Sequence, residues 1–141
     1  MKEYKQPKIF LPINLHDAKV ASVQWDNKSG GINKGNITIN TKEGFLVSGD
    51  NGQYQTKTGS VFFDEVDFDF CQIYAFKEEE RKGIRFEQLE RILKHTEVEI
   101  SEITFSYDLT KIWCYAYPPD DYYVIELEIY HEKEAVYRWE E

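Results

Sequence analysis

The longest uncharged apolar runs in this 141-residue chain are only a few residues, far short of the ~20 that carry a helix across a bilayer. No apolar signal-like stretch follows Met1-Lys2-Glu3-Tyr4-Lys5, so the sequence predicts a soluble, cytoplasmic protein with no membrane partner. Cysteine is scarce. Cys71 and Cys114 stand alone in β-like runs, outside any CxxC or Cys/His pattern, which predicts two buried thiols in a reducing compartment. There is no GxSxG and no phosphate-cradling glycine loop, and Gly30-Gly31 falls in a polar hairpin connection instead of between a strand and a helix. His16, His95 and His131 are far apart and none has the spacing of a second ligand. The usual carriers of nucleophilic catalysis, cofactor binding and metal binding are therefore missing, and a non-enzymatic protein is expected. Basic residues gather only at Lys28, Lys34, Lys42 and Lys57, without interleaved aromatics, which argues against a nucleic-acid groove.

What the chain does have is charge of one sign in one half. Residues 1–60 carry eight Lys against five Asp/Glu, whereas residues 61–141 carry nine Lys/Arg against 21 Asp/Glu. Aromatic residues make up 16% and apolar residues 41%. That is too aromatic for a disordered acidic segment and points to β-structure around a single core.

Period-two patterning supports this. Ala21, Val23 and Trp25 alternate with Ser22, Gln24 and Asp26, and Ile37 and Ile39 alternate with polar neighbours, which predicts a hairpin across the Asn27–Asn36 connection. Phe45-Leu46-Val47 reads as a short strand, followed by polar loop or edge structure to Gly59. A long β-run is expected from Val61 to about Phe76, with Val66, Phe68 and Phe70 on one side and Glu65, Asp67 and Asp69 on the other. Lys77–Lys82 reads as a charged connection broken by Gly83. Phe86, Leu89, Ile92, Leu93 and Thr96 fall on one helical face, which predicts the principal helix over about 86–96. An antiparallel meander follows through Val98–Tyr107, Lys111–Tyr117 and Tyr122–Tyr130, and 135–139 is an edge strand or a helical turn. The expectation is one α+β domain over 1–141, mainly antiparallel sheet with the helix packed on one face.

Two constellations bear on function. The segment from Asp64 to Asp69 could meet a hard cation or a basic protein, or be a solvated strand face. A strand spaces same-face carboxylates about 7 Å apart, which suits a metal poorly. The Trp113/Tyr115/Tyr117 stripe alternates with Ile112, Cys114 and Ala116, so this strand is central, with one set inward and the other against a helix, solvent or a partner. Core packing accounts for most of such a stripe. Exposed beside Asp120, Asp121, Tyr122, Glu126 and Glu128, it would instead have the makeup of a protein-binding hot spot. His16-Asp17 invites an acid–base reading, but a turn in which Asp17 accepts backbone N–H bonds explains it without a substrate pocket.

The Leu15-His16-Asp17-Ala18 turn, the strand through Trp25, the glycine-broken hairpin and the aromatic Val61–Phe70 run resemble small immunity proteins of bacterial polymorphic toxin systems. This resemblance implies a non-enzymatic inhibitor of a toxin domain, often a nuclease, and brings no catalytic residues with it. An acidic half complements such a cationic partner. The partner-contact candidates are Asp67, Asp69, Asp120, Asp121, Glu126 and Glu128, with Tyr115, Tyr117 and Tyr122 as anchors. The alternative is an acidic phage or mobile-element protein that mimics DNA and blocks a nucleic-acid enzyme. A small enzyme or ligand-binding barrel with a pocket near His16 is a third option.

Overall fold

The computed structural model describes residues 2–5, 13–28, 33–49, 51–106, 108–117 and 124–140. Among them the chain forms β1 (Lys2–Lys5), β2 (Ile13–Asn14), β3 (Lys19–Lys28), β4 (Lys34–Lys42), β5 (Phe45–Ser48), β6 (Tyr54–Lys57), β7 (Gly59–Asp67), β8 (Gln72–Lys77), β9 (Glu80–Gly83), α1 (Phe86–His95), β10 (Glu97–Phe105), β11 (Leu109–Tyr117), β12 (Val124–Tyr130) and β13 (Val136–Trp139). Ten strands make one sheet in the order β1-β13-β7-β4-β3-β10-β11-β12-β8-β9, and β2-β5-β6 make a second, small one. Among the described residues the strands pair antiparallel throughout. The described residues are thus mainly antiparallel β with a single short helix.

The large sheet has one apolar face, and its curvature follows from the need to bury that face. In β4 the buried Ile37, Ile39 and Thr41 alternate with half-buried Asn36, Thr38 and Asn40. Directly opposed residues share a face, so Val23, Ile39, Val61 and Tyr137 form one inward row. Ile100, Cys114, Ile125 and Ala75 form another across the second half of the sheet. Register breaks in β3 at Val20/Ser22, between β4 and β7 at Gly35/Ile37, and in β10 at Ile100/Glu102 add local twist. Gly35 is required at its break, since a Cβ there would stand 1.9 Å from the Asp26 carbonyl oxygen.

The curl closes at one corner. Val66 bridges His131, and the Glu132 N–H donates to the Glu65 carbonyl at 3.0 Å. His131 is buried there against Phe63, ring centroids 5.1 Å apart. Its Nδ1 lies 2.6 Å from the Lys133 carbonyl and its Nε2 2.7 Å from Oγ1 of the fully buried Thr110. A carbonyl can only accept, so Nδ1 donates to Lys133, and in the neutral ring Nε2 accepts the Thr110 hydroxyl proton.

The helix covers the inner face where β3 and β10 part company, having shared only Val98↔Val20 and Glu99↔Lys19. Leu89 and Ile92 are buried, and Phe86 meets Trp25 at 5.0 Å, which itself stacks on Phe68 at 4.7 Å. Each buried aliphatic side chain contributes about 2 kcal/mol. At the helix start the Gln88 side chain accepts the Arg85 N–H at 2.8 Å, and Thr96, in extended conformation, ends the helix. The small sheet covers the other end of the inner face, where Phe45 packs edge-on against Tyr137 and Trp139.

Several expectations need correction. The Val61–Phe76 run is two strands. β7 ends at Asp67, whose side chain accepts the Asp69 N–H at 3.2 Å, while its carbonyl accepts the Phe70 N–H at 3.1 Å, and this turns the chain into β8. Glu65 sits at φ 50° in the break of β7, so Glu65, Asp67 and Asp69 do not form a regular acidic ladder. Residues 77–82 are a hairpin, with Glu78 at φ 57° in its two-residue loop. Residues 136–139 are an inner strand, not an edge, because β1 pairs on its far side. Ala21 is exposed, and the register break hands its place in the core to Val20. Replacing His131 with Ala should strand the Thr110 hydroxyl and open a void under Phe63. The expected loss is about 2 kcal/mol, read from the urea midpoint at unchanged slope.

Candidate functional site

The outward face of β10, β11, β12 and β8 is unusually aromatic. Since Ile112, Cys114 and Ala116 fill the core, pleating sends Trp113, Tyr115 and Tyr117 outward. Cross-strand register extends each into a row. Glu99, Tyr115, Val124 and Phe76 are opposed in turn, with Lys19 beyond Glu99 and Arg81 beyond Phe76. The next row holds Glu102, Trp113, Glu126 and Tyr74, and the one after it Thr104, Lys111, Glu128 and Gln72. Six strands at ~4.8 Å spacing make the Lys19-to-Arg81 row about 24 Å long.

The rings are in contact. Phe76 lies 5.1 Å from Trp113, and Tyr115 lies 6.3 Å from Tyr117. Tyr115 and Tyr117 are 40% and 50% exposed, against the expectation that the stripe mostly packs into the core. At the far end Tyr130 contacts the exposed Phe70 at 6.0 Å, which ties the Asp67–Phe70 turn to the same face.

Its carboxylates differ in environment. Glu126 is buried between its Trp113 and Tyr74 neighbours, with an Arg81 guanidinium nitrogen at 3.7 Å. That guanidinium lies over the Tyr74 ring at 3.6 Å. Glu128 is held by Lys111 at 3.3 Å. The edge near β3 is different. The turn at His16-Asp17 is pinned to the register break of β10 by Asp17 N–H to Ile100 O and Ile100 N–H to Ala18 O, both 2.8 Å. Asp17, at φ 69°, brings its carboxylate to Glu99. The Glu99 carboxyl is raised above the ordinary 4.5, first by burial, then by the hydrogen bond and charge of Asp17. Glu97 adds to this and Lys19 opposes it. Lys19 spans Glu43 at 3.3 Å and Glu97 at 3.5 Å, and these carboxylates raise its own ammonium.

The expected contact residues therefore fall into three groups. Tyr115, Tyr117, Glu126 and Glu128 share the aromatic face. Asp67 and Asp69 lie in the adjoining turn, where Asp69 accepts from Asn33 at 2.9 Å. Asp120, Asp121 and Tyr122 lie outside the described residues. Tyr74, Phe76, Glu97, Glu99 and Asp17 were not anticipated as face residues, and Trp113 was anticipated as part of the stripe but not among the contact candidates. Glu97 and Glu99 were legible as the polar phase of the Val98/Ile100 alternation.

The other features are plainer. The cap of the His16 turn is Asn14, not Asp17: its Oδ1 accepts the His16 N–H at 2.8 Å. His16 borders an open groove of about 240 Å³ shared with Lys42, Glu43 and Thr56, smaller than typical ligand pockets. Cys71 and Cys114 are unpaired and buried, and burial pushes their thiols up to about 11 and about 12. Among the described residues no cluster of three His, Cys, Asp or Glu is placed to hold a metal, and no helix is long and apolar enough to cross a membrane. Comparison with protein-family models, with curated proteins and with solved structures finds no match.

Two outcomes follow from these environments. Arg81→Met should leave the Glu126 carboxylate unpaired between two rings and cost on the order of 1–2 kcal/mol. Adding Glu126→Gln should recover part of that loss in chemical denaturation. For Glu99, the unfolded chain ionises near 4.5 and the folded one only at higher pH. Its contribution therefore favours folding below 4.5 and is lost as pH rises through the folded value. Glu99→Gln should accordingly raise the denaturation midpoint at pH 7, and the gain should vanish at pH 4.

Proposed function

We propose that this chain is a non-enzymatic cytoplasmic binding protein whose aromatic, carboxylate-bordered sheet face captures a basic protein partner, in the manner of an immunity protein neutralising a toxin domain. The observation that carries the reading is the pair Tyr115 and Tyr117. They are exposed side by side at the centre of a ten-stranded sheet whose opposite face already supplies the core. Large half-exposed tyrosines on a rigid central strand give contact area at little entropic cost, and bordering carboxylates steer a cationic partner. Three carboxylates of the face, Glu97, Glu126 and Glu128, already have a lysine or arginine of this chain beside them. That pairing suits a specific protein contact better than a phosphate-like array, and it makes the DNA-mimic reading second.

The test is site-specific photo-crosslinking in the native host, with the crosslinker in place of Tyr117 and, as a control, of Gln55 on β6. A single basic protein should be trapped from position 117 and not from 55. Its affinity should fall with salt, and by roughly 2 kcal/mol or more in Tyr115→Ala/Tyr117→Ala. Equal trapping from both positions, or none from 117, would reject this face.

A further inference from the structure

The chain carries the same three-part arrangement twice, each time complete. Arg81 lies 3.6 Å over the Tyr74 ring while reaching Glu126 at 3.7 Å. Arg138 lies 4.8 Å over the Phe62 ring while donating to Glu3 at 2.9 Å. In both, a planar guanidinium satisfies a ring face and a carboxylate together, which a compact ammonium does less well. A third copy of the ring-plus-carboxylate half stands at the centre of the aromatic face. Tyr115 opposes Glu99 and Tyr117 opposes Glu97 in register, and Asp17 adds its carboxylate to Glu99. Among the described residues no arginine reaches it. The four arginines of the sequence are Arg81, Arg85, Arg91 and Arg138. The first and last are engaged as above, Arg85 precedes the helix, and Arg91 is exposed on it.

We infer that the Tyr115/Tyr117–Glu99/Asp17 notch is the seat of an arginine side chain presented by the partner. This rests on the binding reading above and specifies its chemistry. The notch is exposed, so the guanidinium can enter from solvent. Lys19 does not fill it, because its ammonium is spent on Glu43 and Glu97. The His16 imidazole stands 3.4 Å from the Asp17 carboxylate and Lys19 is shared between Glu43 and Glu97, so an arriving guanidinium adds a positive charge beside the exposed Tyr115 and Tyr117 rings and the Glu99 and Asp17 carboxylates. An arginine there can stack on a tyrosine ring and present its forked N–H donors to Glu99 and Asp17.

The probes are three synthetic peptides of one sequence, Gly-Arg-Ser-Arg-Gly and its lysine and citrulline counterparts, titrated into the full-length ¹⁵N-labelled protein. The arginine peptide should give saturable shifts at the amides of Glu99, Tyr115 and Tyr117 and bind roughly threefold or more tighter than the lysine peptide. The citrulline peptide should give none. Glu99→Gln and Tyr115→Leu should each weaken arginine binding by roughly threefold, in variants whose remaining amide spectrum is unchanged. Equal affinity for arginine and lysine peptides, or shifts centred on the Glu78–Glu80 hairpin, would overturn the inference. A partner that cross-links through position 117 yet tolerates lysine at each of its arginines sinks the arginine assignment and leaves the binding reading standing. Selective arginine binding with no trapped partner does the reverse.

Discussion

The fold depends on one buried polar corner. A sheet of ten strands with a single apolar face must roll up to exclude water, and the roll is fixed where Thr110, His131 and the Lys133 carbonyl are linked. Val66 and Glu65 reach across to the same corner, and Lys34 adds an ion pair to Glu132 at 2.8 Å. Cys71 joins it through its sulfur, which accepts the Tyr130 N–H at 3.4 Å. The closure ties β7 to the end of β12, on the side of the sheet away from the aromatic rows. The aromatic rows are regular because they ride on that closed frame.

Opposite the corner the sheet is joined more thinly. β3 and β10 share a short register, and the His16–Ala18 turn extends it by two hydrogen bonds. At this seam Asp17 takes a left-handed conformation, with the His16 imidazole 3.4 Å from its carboxylate and Glu99 beside it. Strain of that kind persists only where surrounding structure over-determines it. Here the pinned turn on one side and the paired β10–β11 ladder on the other supply the constraint.

Much of the architecture was legible in the sequence because it rests on local periodicity. The β3–β4 hairpin, the helix at 86–95 and the β10–β12 meander follow from apolar residues at two- or 3.6-residue spacing. The misreadings have physical causes. Phe68 and Phe70 continue the alternation of β7, but Asp67 folds the chain through its own side chain and leaves Phe70 exposed. Glu80-Arg81-Lys82 lacks every sign of a strand, yet it serves as one at an edge where nothing need be buried. The outward phase of β11 could not be chosen beforehand, since both sets are apolar. It is settled by the fit of small Cys114 and Ala116 inside. The Arg81–Glu126 and Asp17–Glu99 contacts join residues far apart in the chain, and only cross-strand register reveals them.

The two ends of the large sheet also bear on how the molecule behaves in company. Among the described residues no strand pairs on the far side of β1 or of β9, and an open row of backbone donors and acceptors is the usual template for end-to-end polymerisation. Each is short and charged, with Lys2 and Glu3 at one end and Glu80, Arg81 and Lys82 at the other. A second molecule adding by backbone pairing would have to desolvate those charges in an untuned register. The chain can therefore expose an aromatic face while its sheet stays finite.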